Sequence, residues 1–202
     1  MFSAPSKLIR LTAVAVCPLL AVGALAVAEP ASSQSSKANE VMQSVFANRL
    51  RDGGFWRQNN PDFAGEAHLP AYWMQVWRNG PGGEVVIADA IEVKGDGTCS
   101  PLIHLVFRYD PESDRIVSAA FGAGGLSGSG VMTYSGSQTS NEATLNLPGG
   151  GEMRMRDHED HGAGDSVTVN VEIWDGETWT PGDPVTWHRS ASGPGCSGSA
   201  GS

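Results

Sequence analysis

Hydrophobic and polar residues alternate along most of the chain between residues 72 and 189, in short runs that end in turn residues. In the clearest run, residues 166–174, every second residue from Val167 to Ile173 is Val or Ile, and the residues between them are polar. Successive side chains of a strand point to opposite faces, so such a run has one buried face and one solvated face. Short strands at regular spacing predict an all-β sandwich or barrel.

The connections between these runs are short and rich in Gly, Asp, Asn and Pro, as in Gly95-Asp96-Gly97 and Pro148-Gly149-Gly150-Gly151. Connections of this length join antiparallel neighbours and leave no room for crossover helices. We therefore predict an antiparallel up-and-down meander that closes into a barrel, an architecture whose interior often holds a small molecule. The strands are expected at residues 72–78, 84–94, 102–109, 115–121, 130–134, 142–147, 152–156, 166–174 and 185–189.

One amphipathic helix is predicted before the strands, at residues 38–50, where apolar residues recur at helical spacing. Ser36 is a suitable N-cap and Gly53-Gly54 is expected to end the helix. A helix in this position is expected to cover one open end of the barrel. Residues 55–70 contain Asn59-Asn60-Pro61, and no regular element is predicted for them.

The N-terminal residues have the pattern of a secretory signal peptide. Lys7 and Arg10 precede an apolar run at residues 11–28, which ends in Ala26-Val27-Ala28. The run is short for a membrane span and contains Pro and Gly, although an uncleaved anchor is the alternative. We expect an exported protein, periplasmic or extracellular. The predicted organisation is a signal peptide at 1–28, a flexible linker at 29–37, the helix and barrel at 38–190, and a Gly/Ser-rich tail at 191–202.

The chain is acidic, with 22 Asp and Glu against 13 Lys and Arg and a net charge of −9. Cleavage after Ala28 would remove two basic residues and no acidic one, which makes the charge −11. An acidic protein without a basic run lacks the electrostatic footprint for nucleic acid or anionic lipid. We therefore predict no nucleic-acid partner and no membrane association after cleavage. No cofactor motif is found, and no feature of the sequence predicts an oligomeric state.

Two of the three cysteines, Cys99 and Cys196, remain after removal of residues 1–28. An even number of cysteines in an exported chain is compatible with one disulfide, because that compartment is oxidising. The bridge would hold the tail against one end of the barrel, and two unpaired thiols are the alternative. Neither cysteine belongs to a metal-binding or nucleophile motif.

Several motifs together resemble one protein family. Gly54-Phe55-Trp56 stands at the head of the domain, Val185-Thr186-Trp187-His188-Arg189 ends the last strand, and Asp175-Gly176 opens a hairpin typical of such domains. In this order the motifs resemble the bacterial secreted lipocalin-like (calycin-like) barrels. The resemblance implies that Arg189 packs over Trp56. The additional helix and the irregular segment after Trp56 depart from the family pattern.

Asp89 is the first candidate for chemistry, because it shares a strand face with Val and Ile residues. An acid on an apolar face is desolvated unless it is paired, and its pKa would then rise toward the range of a general base. Arg108 on the adjacent strand is a candidate partner. The alternative is a structural acid, at a bulge or bound to a backbone donor. Asp89 and His104 are the acid/base candidates if the barrel is an enzyme.

Residues 157–161 contain two histidines and three carboxylates, which superficially suggest a metal site with His158 and His161 as ligands. The segment precedes Gly162-Ala163-Gly164, so it is interpreted as an exposed, solvated hairpin loop, and no metal site is predicted.

Aromatic and methionine side chains in the strands are either a pocket lining or ordinary core. The predicted ligand-binding residues are Met74, Asp89, Phe107, Tyr134, Met153 and Met155.

Three functions are compatible with these observations. The first is an exported, non-catalytic barrel that binds a small apolar or aromatic ligand. The second is an enzyme that uses the barrel cavity, with Asp89 or His104 as acid/base. The third is a structural or interaction module whose barrel is filled by side chains. The volume of the interior, and the residues that face it, distinguish them.

Overall fold

The structure is a computed structural model and describes residues 31–162 and 164–197, without the side chains of residues 31–33. The predicted signal peptide, residues 1–28, lies outside the described residues, as does the end of the tail from residue 198.

The described chain folds into one helix and an antiparallel β-sheet, which confirms the predicted all-β class. Helix α1 spans Ala31–Leu50. The strands are β1 Phe55–Asn59, β2 Pro70–Asn79, β3 Val85–Lys94, β4 Cys99–Asp110, β5 Arg115–Gly122, β6 Ser127–Ser135, β7 Gln138–Asn146, β8 Glu152–Asp160, β9 Ser166–Trp174, β10 Trp179–Pro181 and β11 Val185–Arg189.

The sheet closes into a barrel. Strands β1 to β9 pair with their neighbours in chain order, except that β11 lies between β9 and β1. Strand β10 pairs with the end of β9, and the amide of Gly182 donates to Val171 before β11 continues along the same strand. Counted together, β10 and β11 occupy one position in a closed ten-strand barrel. The predicted antiparallel meander is confirmed.

Besides the short strand β10, which was not predicted, two strand predictions need correction. Residues 55–59, for which no regular element is predicted, form β1, because Trp56 is fully buried and pairs with both β2 and β11. Residues 157–160, part of the predicted exposed loop at 157–161, continue β8, because all four pair with β7 and residues 157–159 also pair with β9. The second correction changes which side chains face the interior.

Helix α1 covers one end of the barrel, as expected, and packs mainly against β2, β3 and β4. Its apolar side chains Met42, Val45 and Phe46 are buried. It begins at Ala31 instead of residue 38, so the described part of the predicted linker is helical. Polar contacts hold this first part of the helix, since Lys37 donates to Asp114 at 3.3 Å. Within the described residues, no helix is long and apolar enough to cross a bilayer.

Arg189, the last residue of β11, joins the last strand to the first, because it packs over Trp56 as the family resemblance implies. Its guanidinium lies 4.5 Å from the centre of the Trp56 ring. The same group donates to the backbone oxygens of Asn48 at 3.0 Å and Arg51 at 2.9 Å, near the end of the helix. Trp56 in turn donates its indole N–H to the backbone oxygen of Arg49. The first strand, the last strand and the helix are therefore fixed to one another.

Cys99 and Cys196 form a disulfide, as predicted. Cys99 begins β4, and the neighbouring Ser197 amide donates to Gly97 in the turn between β3 and β4. Near the other end of the barrel, the Ser190 amide donates to Phe55. The tail therefore follows the barrel from the helix-covered end to the opposite end.

We expect that replacing both Cys99 and Cys196 with Ser lowers the free energy of unfolding by about 2–4 kcal/mol. The bridge closes a loop with a sequence separation of 97 residues, and its removal restores conformational freedom to the unfolded chain. Urea denaturation with and without reductant measures the difference. Reductant should destabilise the unsubstituted protein and leave the double variant unchanged. Equal unfolding free energies for the two proteins without reductant would contradict the prediction.

Candidate functional site

A cavity of ≈ 160 Å³ lies inside the barrel. Helix α1 bounds it at one end, and the inward faces of β2, β4, β5, β6, β7 and β8 form its sides. Much of the lining is apolar and comes from Ile103, Leu105, Ala120, Met132, Leu145 and Met155. Two further groups of side chains, one aromatic and one polar, give the cavity its chemical character.

The aromatic wall consists of Phe46, Trp77 and Phe107, which come from the helix and from two strands. The Trp77 and Phe107 rings are stacked, with centroids 5.6 Å apart and planes inclined by 14°. Phe46 packs on both, at 5.6 Å from Trp77 and 5.2 Å from Phe107. Gln75 accepts the indole N–H of Trp77 at 2.9 Å and so fixes the ring. These faces offer a flat apolar surface to a ligand.

The polar wall consists of Asp157, Glu159 and His161 at the end of β8 and Asn141 on β7. Because strand side chains alternate, positions 157, 159 and 161 share the inward face with Met155. Asn141 lies directly opposite Asp157 in the β7–β8 register. Three titratable side chains therefore face the interior of the barrel.

Arg49 brings a positive charge from the helix to this wall. Its side chain is fully buried, and its Nη2 atom donates to Glu159 Oε2 at 2.6 Å. The guanidinium also lies 4.9 Å from the Trp56 ring centre and 5.2 Å from that of Trp77. Its Nε atom has no hydrogen-bond partner among the described residues. The charge of Glu159 is thus balanced inside the barrel.

Asp157 has no comparable partner. It accepts one hydrogen bond, from Asn141 Nδ2 to its Oδ2 atom at 2.9 Å. Burial, and secondarily the charge of Glu159, raise the pKa of Asp157 to about 7, against the opposing effects of the Asn141 hydrogen bond and the Arg49 charge. The charge of Asp157 therefore changes near neutral pH.

His161 is buried, and burial lowers its pKa although the charge of Glu159 acts in the opposite direction. The imidazole is therefore neutral at neutral pH. Its Nε2 atom is 2.9 Å from the Thr139 hydroxyl. Its Nδ1 atom lies 3.5 Å from Glu159 Oε2, and no described residue makes a hydrogen bond to it. His161 therefore keeps one unsatisfied polar atom in the cavity lining.

Asp89 and His104, the acid/base candidates, do not line this cavity. His104 Nδ1 lies 2.5 Å from Asp89 Oδ1, and Arg78 binds the other carboxylate oxygen. Burial alone would raise the pKa of Asp89, but the hydrogen bonds and charges of Arg78 and His104 lower it below its ordinary value. Asp89 is thus a paired acid, and the rise in pKa expected of an unpaired one does not occur. Arg108, the candidate partner, lies opposite Val85 in the register, and the partners are Arg78 and His104.

Phe107 and Met155 are the predicted ligand-binding residues that line the cavity. Met74 is buried on β2, but it alternates with the inward-facing Gln75 and does not contribute to the lining. Tyr134 packs against the core near the helix, and Met153 lies two residues before Met155, also outside the lining. The structure therefore brings only part of the predicted ligand-binding set together.

The metal-ligand candidates His158 and His161 point to opposite faces of the strand. His158 is exposed and lies 3.5 Å from Glu172, whereas His161 is inside the barrel. Within residues 31–162 and 164–197, no group of three or more His, Cys, Asp or Glu side chains is arranged to hold a metal ion.

The sequence does not predict the polar wall, because its residues 157–161 are interpreted there as an exposed loop. The alternation of apolar and polar residues stops after Met155, since residues 157–161 are all Asp, Glu or His, so the sequence alone does not indicate that the inward face continues. The burial of Arg49, in contrast, was predictable, because Arg49 follows Val45 and Phe46 at helical spacing and so shares their buried face.

No family model matches the chain, and no curated protein matches it. Among solved structures, the crystal structure of Rv2717c from M. tuberculosis is similar over 67% of this chain and 88% of that chain. The sequence identity is 12% and the TM-score is 0.38. The description of the barrel therefore rests on its own strand pairing.

Proposed function

We propose that this protein is an exported, lipocalin-like barrel that binds one small aromatic or apolar molecule in its interior without catalysing a reaction. The cavity of ≈ 160 Å³ is the observation that carries the proposal. A cavity of about 150 Å³ in another protein's core accommodates benzene. The cavity therefore suits a ligand of about one aromatic ring, held against the aromatic wall.

The size of the cavity also restricts the ligand class. Pockets for drug-sized ligands have volumes of roughly 300–1,000 Å³. The interior is smaller than this range, because Phe46 from the helix and Trp77 and Phe107 from the strands fill much of it. Tetrapyrroles and long acyl chains are accordingly not proposed as ligands.

Two features support the export part of the proposal. The Cys99–Cys196 disulfide suits an oxidising compartment, where such bonds persist. Residues 1–28 have the sequence pattern of a signal peptide. The location of Asp89 and His104 outside the cavity lining supports binding over the enzyme hypothesis that rests on them.

The proposal predicts that Ala120→Leu abolishes ligand binding, whereas Ala119→Leu does not. Ala120 lines the cavity, and a leucine there would occupy the volume that the ligand needs. Ala119 is its neighbour on the same strand and points to the other face, so it is a matched control. Toluene, phenol and indole are the probes, and the shift in Tm is the measurement.

We expect at least one probe to raise the Tm of the unsubstituted protein and of Ala119→Leu, and none to raise the Tm of Ala120→Leu. Circular dichroism establishes that both variants fold, and Ala143→Leu fills the same cavity from β7 if Ala120→Leu does not fold. The proposal is overturned if no probe changes the Tm of the unsubstituted protein. It is also overturned if the probes raise the Tm of the cavity-filling variant as much as that of the unsubstituted protein.

A further inference from the structure

The polar wall of the cavity has more hydrogen-bond acceptors than donors. Asp157 and Glu159 contribute carboxylate oxygens, and Asn141 contributes Oδ1, which is buried and has no partner among the described residues. One N–H of the Asn141 side chain is already used, because its Nδ2 atom donates to Asp157. A molecule that fits this wall therefore has to supply donors.

The buried positive charge of Arg49 already compensates the carboxylate of Glu159. Arg49 donates to Glu159 at 2.6 Å and to Gln75 Oε1 at 3.4 Å. Asp157 depends on one neutral amide donor, so its carboxylate lacks a cation at hydrogen-bond distance in the described structure. A buried carboxylate without a cation is costly, and a positively charged ligand would remove that cost.

His161 supplies an independent indication that this wall receives a ligand. It is 3% exposed and lines the cavity, yet its Nδ1 atom has no hydrogen-bond partner among the described residues. The Thr139 hydroxyl beside Nε2 either donates or accepts, so Nδ1 is available in either role. Buried polar atoms normally have a partner, and an unsatisfied one that faces a cavity is available to a bound molecule.

The aromatic wall is also compatible with a positively charged ligand. Cations are attracted to the faces of aromatic rings, and Trp gives the strongest interaction. Trp77 already lies 5.2 Å from the Arg49 guanidinium. The cavity therefore combines a surface for a ring with an acceptor-rich surface for a charged nitrogen group.

We propose that the cavity selects a single-ring aromatic compound with a cationic, N–H-rich substituent, its ring on the aromatic wall and its N–H groups donated to Asp157 and Asn141. This inference rests on the proposed ligand-binding function and adds the chemical class of the ligand. Planar cations with two parallel N–H groups, such as amidinium or aminopyridinium ions, match a carboxylate and an adjacent amide oxygen.

The charged and titratable groups that face Asp157 are few in the described structure. Glu159 and His161 come from its own strand, and Arg49 comes from the helix. Strand β7 presents the neutral Asn141, and β9 places Val171 opposite Asp157. Binding of a cation to Asp157 therefore competes mainly with the proton on Asp157 itself. Affinity should fall as the pH falls below about 7.

Benzamidine, benzamide and benzoate test the proposal, because the three have nearly the same shape and differ in charge. Isothermal titration calorimetry measures their affinities at about pH 8 and about pH 5.5. We expect benzamidine to bind at least about tenfold tighter than benzamide at the higher pH, and benzoate to bind most weakly. At the lower pH, the benzamidine affinity of the unsubstituted protein should fall by roughly tenfold or more.

Asp157→Asn should weaken benzamidine binding by about tenfold or more and leave benzamide binding unchanged. Glu152→Gln, an exposed acid at the start of the same strand, is the matched control and should behave as the unsubstituted protein. If Asp157→Asn does not fold, the unsubstituted protein still decides the question. Titrations near pH 7 in two buffers of different ionisation enthalpy should show proton release when benzamidine binds.

The outcomes separate the selectivity from the binding function. If benzamide or toluene binds and benzamidine is no tighter, or if benzoate is preferred, the proposed selectivity is overturned and the binding function stands. If benzamidine binds with no proton release and no loss at the lower pH, the assignment of Asp157 is overturned. If none of the compounds binds, toluene included, both proposals fail.

Discussion

Replacing Arg49 with Ala is expected to lower the free energy of unfolding by about 3–5 kcal/mol. The guanidinium is fully buried, and its removal leaves the largely buried carboxylate of Glu159 without its cation. The carboxyl group of Asp157 on the same wall increases this cost, because two negative charges then face one apolar interior. The substitution also removes the contacts of Arg49 with the Trp56 and Trp77 rings. Urea denaturation followed by tryptophan fluorescence measures the change.

Arg154→Ala is the control for the Arg49 experiment. Arg154 donates to Glu142 at 2.9 Å, but both side chains are exposed, and exposed ion pairs contribute only about 0–1 kcal/mol. The double variant Arg49→Ala with Glu159→Gln should recover part of the loss, because no unpaired carboxylate remains at position 159. A loss below about 1 kcal/mol for Arg49→Ala, or no recovery in the double variant, would show that the buried pair is not a main determinant of stability.

The second large effect concerns pH. Asp157 has a pKa of about 7 in the folded protein and an ordinary carboxyl value in the unfolded chain. Between these values the folded protein binds more protons than the unfolded chain, so the contribution of Asp157 to stability decreases as the pH rises from about 4 to about 7. The total loss is on the order of 4 kcal/mol. Asp157→Asn resembles the protonated acid and should remove this dependence.

The measurement is the unfolding free energy of Asp157→Asn minus that of the unsubstituted protein, at several values between pH 4 and pH 8. We expect the difference to rise with pH and to level off above about pH 7, where the variant is the more stable protein. Glu152→Gln, on the exposed face of the same strand, should give a flat difference. A flat difference for Asp157→Asn as well would refute the raised pKa.

Much of the barrel was predictable from the sequence, because alternation is a local property of each strand. The strand at residues 166–174 has the bounds predicted for it. The contact between Arg189 and Trp56 was implied by the family resemblance and not by physical reasoning from the residues. The structure contains this contact. The missed strand β1 is short, and its pairing with β11 depends on residues far away in the chain.

The candidate site was less predictable, because a cavity depends on which strand faces meet across the barrel. Asp89 illustrates the difficulty. Its apolar neighbours at every second position suggested an inward face, but Val86 and Ala88 are the buried residues of that strand segment, and Asp89 alternates with them. Asp157 illustrates the opposite error, since its charged neighbours suggested a loop, although pairing with β7 and β9 keeps its side chain on the inward face. In both cases charge was a poorer guide to burial than register.

The pairing of β1 with β11 has a consequence for how the chain folds. Trp56 lies opposite Arg189, so the contact that completes the barrel joins two residues near opposite ends of the domain. Contacts of high sequence separation slow folding, because the chain loses its loop entropy before it gains them. While the chain folds, β1 has a partner on one side only until β11 pairs with it. Until then the edges of β1 and β9 are unpaired and are sites at which another chain can add a strand.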